Sequence, residues 1–209
     1  MARWDRATES RRRFGGGACE KPWPRRAAEV RHTVLARLFR SNPAKAAGRN
    51  LYEAVTLQAR QPAFYADLGA PDTVEGRFEL YNLHVVLLLR RLRGEGPLAS
   101  ETSQELFDTY VSSLDDTLRE MGVSDVSVGK KMRKLGEAIY GRVRNFDAAV
   151  DADPTEDLDA LLTRTVYAGQ QNPHVGALSA YVRRAMDTLA AQPVDVVLEG
   201  RPAWPSIAA

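Results

Sequence analysis

Apolar residues in this chain recur at three- and four-residue steps through window after window, and no run alternates long enough to build a sheet. The clearest case is a matched pair. Leu106, Phe107, Tyr110, Val111, Leu114, Leu118 and Met121 form one stripe; Val128, Met132, Leu135, Ile139, Tyr140, Val143 and Phe146 form the next. A stripe of this period buries one side of a helix, so the pattern predicts two adjacent amphipathic helices over about 99–121 and 127–149. Gly122 follows the last residue of the first stripe, where a helix end favours glycine, and Ser124 or Ser127 can cap the second.

The charges near this hinge run against local preference. Lys130, Lys131, Arg133 and Lys134 crowd the first turns of the second helix, at the end of the macrodipole that favours acids. Asp125 offsets part of this. Broken local rules concentrate at functional sites, but a solvated basic face accounts for the same residues. On physics alone the patch suits acidic protein segments, anionic lipid heads or ribosomal RNA.

Other helices follow from the same reading. They are expected at about 27–40 (Val30, Val34, Leu35, Leu38 and Phe39 inward), 43–60 after the Asn42-Pro43 start, 73–93, 154–168 and 174–191, with a short turn at Ala63–Tyr65. The 73–93 segment is apolar around much of its surface and should be central. Residues 1–29, with Arg11 to Arg13, Gly15 to Gly17, Pro22 and Pro24, lack periodicity and read as a disordered basic arm. The arm is either an electrostatic contact for RNA or anionic lipid, or a variable tail. Residues 192–209 read as an extended tail with a β-like run at Val194–Leu198; Trp204 either lies along the bundle or anchors something else. The expected fold is therefore all-α: a single orthogonal or irregular bundle of about six to seven helices over residues 30–191, flanked by the arm and the tail.

Composition narrows the function classes. A formal net charge of +2 argues against a dedicated nucleic-acid binder, and DNA is not an expected partner. The one cysteine, Cys19, makes no intramolecular disulfide. The longest apolar run, Leu83 to Leu89, contains His84 and is far short of the roughly 18–20 residues a membrane span needs. The start lacks an apolar signal region, so the chain is expected in the cytoplasm, with any membrane contact peripheral, at the inner face of the cytoplasmic membrane.

No P-loop, dinucleotide fingerprint, Gly-x-Ser-x-Gly or Cys-x-x-Cys motif is present, and no catalytic, cofactor or metal residues are expected. His84 lies one turn from Leu80, Tyr81, Leu87 and Leu88 and has no second ligand at metal spacing; it reads as a core or groove-lining residue. Glu101, Glu105, Asp108, Asp115, Asp116 and Glu120 make the first helix of the pair acidic. They lack the Glu-x-x-His motifs of dimetal bundles, so they read as a solvated face pairing with Lys130, Lys131 or Arg119.

The stretch Leu118-Arg-Glu-Met-Gly-Val-Ser-Asp-Val-Ser-Val-Gly-Lys-Lys-Met132, followed by Tyr140-Gly-Arg142, resembles the signature of the ubiquinol–cytochrome c chaperone family. The resemblance extends to Tyr81-Asn-Leu-His84, Leu87-Leu-Leu-Arg-Arg-Leu92 and Leu106-Phe-Asp108, and spans about residues 33–190. It implies an all-helical, non-enzymatic assembly factor for the cytochrome bc1 complex. Its client would be newly made cytochrome b or another subunit of that complex, with a small co-chaperone or the ribosome as further partners. The shortness of the chain resembles the bacterial form. The residues expected to bind the partner are Arg119, Met121, Gly122, Val123, Asp125, Val128, Gly129, Lys130, Lys131, Met132, Tyr140, Arg142 and His84. Met121, Val123, Val128 and Met132 would form an apolar floor, and Arg119, Lys130, Lys131 and Arg142 its rim. Two other readings stand beside this one. One is a ribosome- or RNA-binding module using the basic arm and the Lys130 patch; the other is a helical enzyme, which would need a deep pocket holding His84 and two carboxylates.

Overall fold

A computed structural model of the chain describes residues 42–120, 125–151 and 155–207. The side chains of Leu118, residues 125–132, Lys134, Leu135, Ala138, Tyr140, Thr155 and Glu156 lie outside that description. So do the arm over 1–29 and the helix expected at 27–40.

The described residues form eight helices and no strand. Helix α1 spans Pro43–Ala59, α2 Ala63–Ala66, α3 Val74–Leu92, α4 Pro97–Glu120, α5 Asp125–Asp151, α6 Thr155–Thr165, α7 Val175–Ala191 and α8 Val194–Leu198. Asn42 caps α1 as expected: its Oδ1 accepts from the Ala44 amide at 3.0 Å, with Pro43 in the first turn. Thr73 caps α3 in the same way, its hydroxyl accepting from the Gly76 amide at 3.1 Å. Pro97 opens α4, because the first helical position needs no amide hydrogen.

Helix α3 is central. Leu80, Val85, Val86, Leu87, Leu88 and Leu92 are buried, and α3 packs against α1, α4, α5 and α7. The closest packing is between α1 and α4. A Cβ at Gly48 would lie 2.6 Å from Cβ of Glu105 and 2.8 Å from the Leu106 amide nitrogen, so α4 crosses α1 over a residue without a side chain.

The β-like run at Val194–Leu198 is a helix, which corrects the reading from its β-branched residues. Asp195 bonds the Val196 amide at 3.0 Å, Val197 is wholly buried, and Gly200, at φ +79°, ends the turn. A strand needs a neighbour for its backbone groups, and there is none among the described residues; a helix satisfies them internally. Residues 201–207 run extended along the bundle, with Trp204 and Ile207 packed on the core.

Candidate functional site

Helices α4 and α5, of 24 and 27 residues, are the longest, and they share a face with each other. Among the described residues, full burial stops part-way along α4. On α4 it ends at Tyr110, and the described residues from Val111 onward are half-buried or exposed; on α5 the first described buried residue is Ile139. The part of α4 that leads to the segment joining the two helices is therefore less buried, among the described residues, than the part before it. That segment, with Met121, Gly122 and Val123, lies outside the described residues, as do the side chains of Asp125, Val128, Lys130, Lys131, Met132 and Tyr140 and the surroundings of Gly129.

Ion pairs tie the other half of α5 to α3. Arg142 Nε donates to Glu79 Oε2 at 2.8 Å, and its Nη2 donates to Oε1 of the same carboxylate. The guanidinium also stands 5.6 Å from the centre of the Phe78 ring. Two aligned N–H···O bonds to one carboxylate fix both direction and distance. The bond from Glu79 raises the guanidinium's proton affinity above its ordinary value, against the effect of burial. Further along α5, Asp147 accepts from Arg90 and from Arg93, each at 2.7 Å, and Arg90 reaches Asp151 at 2.6 Å. Burial opposes ionisation of Asp147, but the two arginines outweigh it and hold its carboxyl below the usual range. A small cleft beside Arg142 is lined by Glu79, Leu83, Phe146, Leu161 and Val166.

Arg142, expected at the rim of the apolar floor, is paired with Glu79 of α3. Arg119 lies near the end of α4 and donates to Asp115 at 2.7 Å. That is one of the acid–base pairings expected for the acidic face. Asp116 and Glu120 are exposed beside it. On α5, Arg133 and Arg144 are exposed. Glu79 and Asp147 escaped the sequence reading. The available signal for Glu79 was a carboxylate set between Phe78 and Leu80 on the largely apolar 73–93 helix, where an unpaired buried charge would be costly.

His84 is 0% exposed and sits apart from all of these. Its Nδ1 lies 2.7 Å from the Leu80 carbonyl and its Nε2 lies 2.9 Å from the Tyr181 hydroxyl. The carbonyl only accepts, so Nδ1 carries the proton and Nε2 accepts from the phenol. The phenol in turn accepts from Nε2 of Gln58 at 3.0 Å. Phe64 and Trp204 stand edge-on to the imidazole at 5.3 and 5.1 Å between ring centres. Burial lowers the imidazole pKa to about 4. Its hydrogen-bond partners are a carbonyl and a phenol, not the two carboxylates that acid–base chemistry there would need. No group of three or more His, Cys, Asp or Glu among the described residues is placed to hold a metal. No described helix is long and apolar enough to cross a membrane.

The model of the ubiquinol–cytochrome c chaperone family matches residues 66–204, which run from the end of α2 through Trp204 and include the α4–α5 pair. This chain belongs to that family. The ubiquinol–cytochrome c chaperone fold is also seen in the Cbp3 homologue from Brucella abortus. That crystal structure is 36% identical, has a TM-score of 0.75, and aligns over 83% of this chain and 97% of the other. Among characterised proteins, the Xenopus laevis ubiquinol-cytochrome-c reductase complex assembly factor 1 is 25% identical over 165 residues, covering 77% of this chain and 81% of that protein. The match reaches Trp204, so the family pattern takes in α8 and most of the extended segment that follows it.

Proposed function

We propose that this chain is a non-enzymatic assembly chaperone for the cytochrome bc1 complex, and that its client is cytochrome b. The family match across residues 66–204 carries the reading. The name of the Xenopus laevis relative, an assembly factor for that same complex, supports it.

The client would dock around the end of α4 and the start of α5. Val111 and Leu114 are half-buried there, and the apolar stripe continues in sequence to Met121, Val123, Val128 and Met132. A hydrophobic client needs an apolar surface, and adaptable methionines at its centre suit varied leucine-rich segments. Arg119, Lys130 and Lys131 would orient polar loops or lipid heads around it, and Gly122, Asp125, Gly129 and Tyr140 would shape the hinge. Arg142 and His84 serve this site from behind: the first holds α5 on α3, and the second sits in the core. The protein would work at the inner face of the cytoplasmic membrane, by peripheral contact, with a small co-chaperone or the ribosome as additional partners.

The test is purification of the tagged protein from its own cells under gentle detergent, beside the Lys130→Glu/Lys131→Glu double variant. Cytochrome b should co-purify with the natural chain and be lost from the double variant. Recovery of ribosomes without cytochrome b would favour an RNA-binding module instead.

A further inference from the structure

We propose that residues 201–207 form a displaceable lid, and that the cleft beneath it takes an extended apolar segment carrying an indole or phenyl ring. The floor of the cleft is aromatic. Trp204 lies edge-on to His84 at 5.1 Å, and behind it Phe64 stands edge-on to both His84 and Tyr181, at 5.3 and 5.0 Å. The rings of this floor come from α2, α3 and α7.

What holds the lid is of another kind. The last backbone–backbone bond of this region runs from the Arg201 amide to the Val196 carbonyl, at 3.4 Å. Beyond it the lid is tied by side chains. The Gln192 amide bonds both backbone groups of Ala203, at 2.7 and 3.0 Å, in an exposed position. Arg184 reaches the Ser206 carbonyl at a long 3.4 Å. Trp204 is packed against the core, yet its indole N–H is buried and has no hydrogen-bond partner among the described residues. A segment with exposed ties, no ladder and an unsatisfied buried donor opens locally at a lower cost than the helices under it.

The occupant is read from the lid itself. Pro202-Ala-Trp-Pro205 is an extended, apolar stretch whose one large ring fills the space over His84. Any competitor must offer a large aromatic ring on a similarly extended backbone. The natural occupant would be a segment of the hydrophobic client, and only that identity rests on the chaperone reading.

The test uses the full chain with Cys19→Ser and a fluorescent peptide of the sequence of residues 199–207. Three forms are compared: the unlocked chain, Trp204→Ala, and Gln192→Cys/Ala203→Cys, which ties the lid shut when oxidised. Hydrogen exchange is followed alongside. The lid amides should exchange at least tenfold faster than those of α3 and α7. Trp204→Ala should bind the peptide at least tenfold more tightly than the unlocked chain. The oxidised lock should abolish binding and reduction should restore it, which decides the matter even if Trp204→Ala folds poorly. A peptide with alanine in place of the tryptophan should bind to none of them. Equal binding by locked and unlocked chains, no binding to any form, or lid amides as protected as the core would overturn the proposal. Because the peptide is read without client, loss of the cytochrome b reading leaves these outcomes intact, and their failure leaves the co-purification result standing.

Discussion

The Tyr181 hydroxyl lies 2.9 Å from Nε2 of His84 and joins α7 to α3 through a chain of bonds running from Gln58 to Tyr181, His84 and the Leu80 carbonyl. Each donor in that chain has one acceptor. The arrangement therefore holds only while the imidazole is neutral.

Stability should consequently fall in mild acid. The imidazole pKa drops from 6.5 in the unfolded chain to about 4 in the fold. Between those values the unfolded state binds more protons, so the contribution is fully present above pH 6.5 and is lost as the pH falls toward 4. The slope from this one group approaches about 1.4 kcal/mol per pH unit at its steepest. Urea unfolding of the natural chain and of His84→Gln at pH 5 and pH 8 checks this. The variant should be less stable at pH 8 and should show a smaller difference between the two conditions.

Tyr181→Phe removes one oxygen and leaves two buried groups unsatisfied, Nε2 of His84 and the Gln58 amide. The expected loss is about 1–3 kcal/mol, with helical content unchanged. Adding Gln58→Leu should cost less in the Tyr181→Phe background than alone, since it removes one of the stranded donors. Urea unfolding of the two single variants and the double variant reads the difference.

The Glu79–Arg142 pair is mostly shielded, with side chains 14% and 27% exposed. Removing either charge breaks a pair that lies beside Phe78 and Phe146. Glu79→Gln and Arg142→Met should each destabilise, and the double variant should be less unstable than the sum of the two. The partial exposure of Arg142 puts the coupling at about 1–3 kcal/mol, between a surface pair and a fully buried one. Chemical denaturation of the four chains reads it.

Gly48→Ala should be among the most disruptive single-methyl additions. The new Cβ would meet the Glu105 Cβ and the Leu106 amide nitrogen inside 3 Å, and backbone cannot rotate away. Overpacking of this kind costs about 1–3 kcal/mol. A lowered thermal midpoint with intact helical circular dichroism is the expected result. Alanine at Gly136, where a Cβ meets nothing within 4 Å among the described residues, should have little effect.

Much of the architecture is legible in the linear order. Period and caps place six of the described helices to within a few residues, because a stripe at 3.6-residue spacing has one way to be buried and Asn42-Pro43 has one good place in a helix. The run Val194–Leu198 misleads because a short run of β-branched and apolar residues carries no record of whether a strand stands beside it. The hinge residues stand out in sequence through their misplaced charges and their family signature, but the roles of Arg142 and His84 do not. A cation at a helical surface position looks the same whether it faces water or a carboxylate sixty-three residues earlier.

By itself the sequence determined the class of the fold, the order of its helices and the family, since these depend on local periodicity and on residues close together in the chain. Only the tertiary structure decided that Glu79 receives Arg142, that burial keeps His84 neutral between the Leu80 carbonyl and the Tyr181 hydroxyl, and that Trp204 closes over the ring rather than pointing into solvent. Those pairings join residues far apart in the chain, and their energies come from burial and bond direction, which exist only once the helices have packed.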